Sequence, residues 1–76
     1  MKNVIKYAVL NENQYNGREG YDIYELSHEF IADDIFYTLS DYIYDHCDEL
    51  DIENLDNGDI RVGTDYYILI DQDIII

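Results

Sequence analysis

The stretch Glu29–Leu50, EFIADDIFYTLSDYIYDHCDEL, decides how this chain is read, because it is the one long segment with helical periodicity. At 100° per residue, Ile35, Phe36, Leu39, Ile43, Cys47 and Leu50 gather with Ala32 on one arc, which predicts an amphipathic helix laid on a core. Asp34, Asp41, Asp45 and Asp48 run nearly opposite them, and no Lys or Arg lies anywhere in the stretch. The outer face therefore reads as a ridge of one sign.

The flanks read as strands. Asn3–Leu10 carries Val4, Ile5, Tyr7, Val9 and Leu10 without a breaker, and Tyr21–Leu26 alternates in the same way after the polar segment Asn11–Gly20 with its Asn16-Gly17 turn signal. These two segments predict an antiparallel hairpin. Ser27 is the expected N-cap of the long helix. Beyond Leu50, the acidic connection Asp51–Asp59 closes on Asn57-Gly58, followed by strands at Ile60–Val62 and Tyr66–Ile70, a bulge or turn at Asp71–Asp73, and Ile74–Ile76. The expected architecture is α+β: a single domain over residues 1–76, ordered ββαββ, with an antiparallel sheet packed against one long helix. Tyr66–Ile70 and Ile74–Ile76 should be buried or paired, since an exposed apolar edge invites aggregation.

Composition narrows the function. Eighteen acidic residues face four basic ones, Lys2, Lys6, Arg18 and Arg61, for a net charge of −14. Solubility asks a small domain for a net charge of only about 2–8, and the excess works against the compact state by self-repulsion. Direct nucleic-acid binding needs basic patches, and anionic membrane surfaces repel such a chain, so the fitting partner is a basic surface. Hydrophobic residues make up 47% of the chain, too many for a disordered acidic tail. Nine tyrosines predict many half-buried rings, with hydroxyls reaching water or a partner. One cysteine, on the apolar arc, reads as a buried inert thiol of a reducing compartment. With no signal-peptide pattern and no apolar run near the ~20 residues of a membrane span, the expected location is cytoplasmic.

No catalytic constellation is expected. His28 and His46 lie in no nucleophile or metal motif, and no glycine-rich phosphate loop is present. Asp51–Asp59 raises the question of calcium, yet aligning Gly58 with an EF-hand glycine places Leu55 at a ligand position. The reading is therefore no enzyme, no cofactor and no dedicated metal site.

The ridge is the candidate binding surface. On a helix, Asp34 to Asp41 would span about 10 Å, Asp41 to Asp45 about 6 Å and Asp45 to Asp48 about 4–5 Å. Phosphates on one DNA strand lie roughly 6–7 Å apart, or ~3.4 Å per base pair along the axis, so the carboxylates bracket that spacing. Tyr37 and Tyr44, one heptad apart, would flank the same face as flat rings, with Glu49, Asp51, Glu53 and Asp56 extending the field. Asp48 and Glu49 would also end the helix against its own dipole, a local rule broken without visible compensation.

In size, charge and carboxylate arrangement the whole chain resembles the acidic DNA-mimic inhibitors of phages and mobile elements, such as anti-CRISPR and anti-restriction proteins. The likeness rests on no diagnostic motif and carries over no residue by position. It implies a non-enzymatic inhibitor, acting in a host cytoplasm, that fills the basic cleft of a CRISPR effector or restriction enzyme. The alternative is a small acidic interaction module, or a homodimer through Tyr66–Ile76, that uses a Tyr- and Ile-rich sheet surface while charge serves solubility.

Overall fold

The computed structural model describes residues 1–17, 20, 22–48 and 51–75. Within them lie β1 (Lys2–Asn11), α1 (Glu12–Asn16), β2 (Ser27–Ala32), α2 (Leu39–His46), β3 (Ile52–Asn54), β4 (Ile60–Val62) and β5 (Asp65–Ile75). The strands form one antiparallel sheet in the order β2-β1-β5-β4-β3. The class is α+β with an antiparallel sheet, as the sequence implied; the order is βαβαβββ in place of ββαββ, and the helix is not the long one expected.

That long helix is replaced by three pieces. Ser27, read as an N-cap, instead begins β2, whose register sets Phe30 against Ile5 and Ala32 against Asn3. Asp33 and Asp34 then break the chain into a turn. The Asp34 carboxylate accepts from the Phe36 amide at 2.9 Å and its carbonyl accepts from the Tyr37 amide at 3.1 Å. The helix restarts at Thr38, whose hydroxyl accepts from the Asp41 amide at 3.2 Å while the Asp41 carboxylate accepts from the Thr38 amide at 3.0 Å. Of the predicted apolar arc, Leu39 and Ile43 are buried in the core, Cys47 is half-buried and Phe36 is 81% exposed; Leu50 lies outside the described residues.

Other boundaries shift for similar reasons. The expected second strand, Tyr21–Leu26, is not a strand: Tyr21 lies outside the described residues, and the Asp22 side chain captures the Tyr24 amide at 3.0 Å in a tight turn. Asn11–Gly20 holds a short helix where a turn was expected. Asn11 caps it with Gln14 in a reciprocal pair of hydrogen bonds, and the Gly17 amide closes it on the Asn13 carbonyl. Ile52–Asn54, read as connection, is β3, and β5 runs unbroken through Asp71–Asp73. Its irregularity comes just earlier, at Ile70, which the register skips between Lys6↔Asp71 and Tyr7↔Leu69.

One sheet face builds the main core. Ile5 and Tyr7 from β1, Ile60 and Val62 from β4, and Leu39 and Ile43 from α2 are buried together. Each fully buried aliphatic contributes about 1.5–3 kcal/mol. Around them Tyr7 packs against His28, Phe30, Tyr42 and Tyr67 at ring separations of 5.6–6.0 Å, and Phe30 stacks on Tyr42 at 4.1 Å. On the opposite face Ala8, Leu10 and Ile68 are buried, and α1 contacts β1 and β5, laying Tyr15 flat on Tyr66 at 3.9 Å. The half-buried tyrosines expected from composition are present at Tyr15, Tyr37, Tyr42, Tyr66 and Tyr67.

Candidate interaction surface

The acidic ridge does not survive as a single rail. Asp34 sits in the turn before α2, and Asp48 lies past Cys47, the residue that caps the helix. Only Asp41 and Asp45 share the helix, four residues and about 6 Å of rise apart. The expected clash with the helix dipole moves from Asp48 and Glu49 to Asp45, which shares the last turn with His46. Glu49 lies outside the described residues.

Several of the predicted contact residues are held by this chain's own groups. Asp41 is part of the Thr38 cap. Asp45 accepts the Tyr37 hydroxyl, and that hydrogen bond, followed by burial and the nearby carboxylates, pushes the Tyr37 phenol up to about 12. Tyr37 meets Phe30 edge-on at 6.1 Å, so its ring serves the core side of the loop. Tyr44, by contrast, is 57% exposed. Asp51 and Glu53 flank Arg61: the guanidinium donates to both Asp51 oxygens at 2.9 Å, to Glu53 at 3.1 and 3.2 Å, and to the Gly63 carbonyl at 2.8 Å. This clamp holds the Asp51 carboxyl below the usual carboxylate range. Asp56 is exposed in the β3–β4 turn, which Gly58 closes with φ 91° and an amide bonded to the Leu55 carbonyl.

What the structure assembles is a broad acidic surface in place of a line. Every described carboxylate residue except Asp59 is exposed. Two of the described cations stand among carboxylates: Arg61 in its clamp, and Lys6 in a cross-strand row between Glu29 and Asp71. No group of three His, Cys, Asp or Glu among the described residues is arranged to hold a metal ion, and no helix among them is long and apolar enough to cross a membrane. Cys47 lies at the end of α2 with its thiol 3.7 Å from the Tyr67 hydroxyl, half-buried where full burial was expected.

Three features escaped the sequence. The Tyr15 hydroxyl donates to Asp59 at 2.7 Å and accepts from Asn57 at 2.9 Å, tying α1 to the β3–β4 turn. Their separation in sequence hides this contact. The Arg61 clamp is a cross-strand event that depends on β3, whose three residues carry little strand signal. The third is the edge of β5: Leu69, Ile74 and Ile75 pair with β1, as expected of a segment buried or paired, yet are 44%, 54% and 54% exposed, and Ile76 lies outside the described residues. A scan against protein-family models and searches of curated proteins and solved structures find no match to this chain.

Proposed function

We propose that this chain is a non-enzymatic acidic binding protein that fills the basic cleft of a nucleic-acid-binding protein in place of the nucleic acid. A host-defence nuclease, either a CRISPR effector or a restriction enzyme, is the partner class that the sequence resemblance implies. The observation that supports this reading is the distribution of charge: exposed carboxylates on every element but β1 and β4, against cations set among carboxylates at Arg61 and Lys6. The mimicry would be of a diffuse field and not of a phosphate row along one helix. Because charge drives the encounter, association should be fast at low ionic strength and weaken steeply as salt is added.

The test is competition. The full chain captures a protein from host lysate at low salt, and duplex DNA or the guide-loaded nucleic acid is then offered to that protein. Mutually exclusive binding at 1:1 stoichiometry is the expected result. A captured protein that holds nucleic acid and this chain together would overturn the reading. Asp33→Asn, Asp48→Asn and Asp56→Asn, which lie outside the helix cap and the Arg61 clamp, should together weaken capture and flatten its salt dependence.

A further inference from the structure

We propose that the outer edge of β5, from Leu69 to Ile75, receives an extended basic segment of another protein as an added strand. This deepens the proposed function and takes from it only that the partner is basic. β1 pairs with β5 along Asp65–Ile75, whereas β4 pairs with it only at Asp65–Tyr67. From Ile68 onward one side of β5 has no strand beside it among the described residues. Alternate residues of an edge strand direct an amide and a carbonyl outward, the template on which strands add; the Gln72 amide donates to the Asp71 carboxylate at 2.8 Å, a bond an added strand would meet in the middle of this edge.

The side chains along this edge choose the occupant. Asp71 and Asp73 share the face of Lys6 and Val4, and Leu69 and Ile74 share the face of Tyr7 and Asn3. A strand laid alongside meets Asp71 and Asp73 with Ile75 on one face, and Leu69 and Ile74 with Gln72 between them on the other. Asp71 and Asp73 stand about 6–7 Å apart along the strand, the spacing of residues i and i+2 in an extended peptide. A segment alternating Lys or Arg with Val or Ile matches both faces. A second copy of this chain does not. Antiparallel self-pairing centred on Gln72 sets Asp71 against Asp73, and centring on either aspartate sets it against itself, between chains that each carry −14.

Two labelled peptides test this on the full chain: acetyl-(Lys-Val)4-amide, and the same peptide N-methylated at every backbone amide, which keeps the charge and cannot pair as a strand. The first should bind and slow hydrogen exchange at Leu69–Ile75; the second should bind about tenfold more weakly or worse. Asp71→Asn and Asp73→Asn, both exposed and checked for folding by circular dichroism, should each weaken the first peptide by up to about fivefold. Equal binding of both peptides would overturn the strand site and leave the charge reading standing. Failure of both to bind, protection at β2 or β3 instead, or a concentration-dependent dimer protecting the same β5 amides would overturn it as well. Failure of the proposed function is read separately, from the captured protein's competition with nucleic acid.

Discussion

Asn3 shows how much one side chain can hold in a domain this small. It is fully buried, and its Nδ2 donates to the Tyr37 carbonyl at 2.6 Å and the Ile35 carbonyl at 3.4 Å, pinning the β2–α2 connection onto β1. Its Oδ1 is buried with no hydrogen-bond partner among the described residues, a cost accepted for that anchor. Asn3→Ala should therefore destabilise the protein by about 1–3 kcal/mol, and calorimetry should show a Tm lower by roughly 4–8 °C per kcal/mol. At Arg61 the expected signature is a pH dependence. Asp51 has its carboxyl lowered in the folded state, so its contribution is complete above the ordinary carboxylate value of about 3.9 and is lost as pH falls through the lowered value. The Tm gap between the native chain and Arg61→Gln should thus be widest near neutrality and close in acid. Both proteins share the relief of self-repulsion on acidification, so the difference isolates the clamp. An unchanging gap down to pH 2 would contradict it. Neither residue announces its role in sequence, because their partners come from other elements.

At the scale of elements, the apolar arc of Glu29–Leu50 was a true pattern with a mistaken span. Leu39 and Ile43 do face the core from a helix, yet Phe30 reaches the same core from a strand, and 3.6-residue and two-residue periods agree over so few positions. The punctuation was legible: Asp33-Asp34 as a turn, and Thr38 with Asp41 three residues on as a capping pair. Asn11 with Gln14 marked α1 in the same way, and Asn16-Gly17 was the end of that helix, not a hairpin turn. β1 and the body of β5 were found because runs of β-branched and aromatic residues identify strands, and β4 because Ile60 and Val62 alternate about Arg61; β3 was missed because Glu53 and Asn54 carry no such signal. Thr38→Ala should cost about 1 kcal/mol, read by chemical denaturation. Asp41→Ala should also destabilise despite removing a negative charge, so a combined replacement of Asp34, Asp41, Asp45 and Asp48 would mix loss of binding with loss of the cap and of the Tyr37–Asp45 bond.

For the whole molecule, the net charge of −14 sets the conditions under which it holds together. Raising NaCl from about 10 mM to 500 mM shortens the screening length from roughly 30 Å to under 10 Å and should raise Tm, while weakening capture of a basic partner. A Tm that fell with salt would mean that pairs such as Arg61 with Asp51 outweigh the repulsion. The pairing of β1 with β5 carries a consequence in time as well. Lys2 lies against Ile75 and Asn11 against Asp65, so the middle of the sheet joins the two most distant parts of the described chain. During synthesis β1 and β2 can meet early, but the strand that completes β1's other side emerges after the other four. Folding should therefore be slow for a chain with so many distant pairings, and a nascent chain stalled before Asp65 would hold two separate pairs, β1-β2 and β3-β4, each with the edge that β5 joins left open.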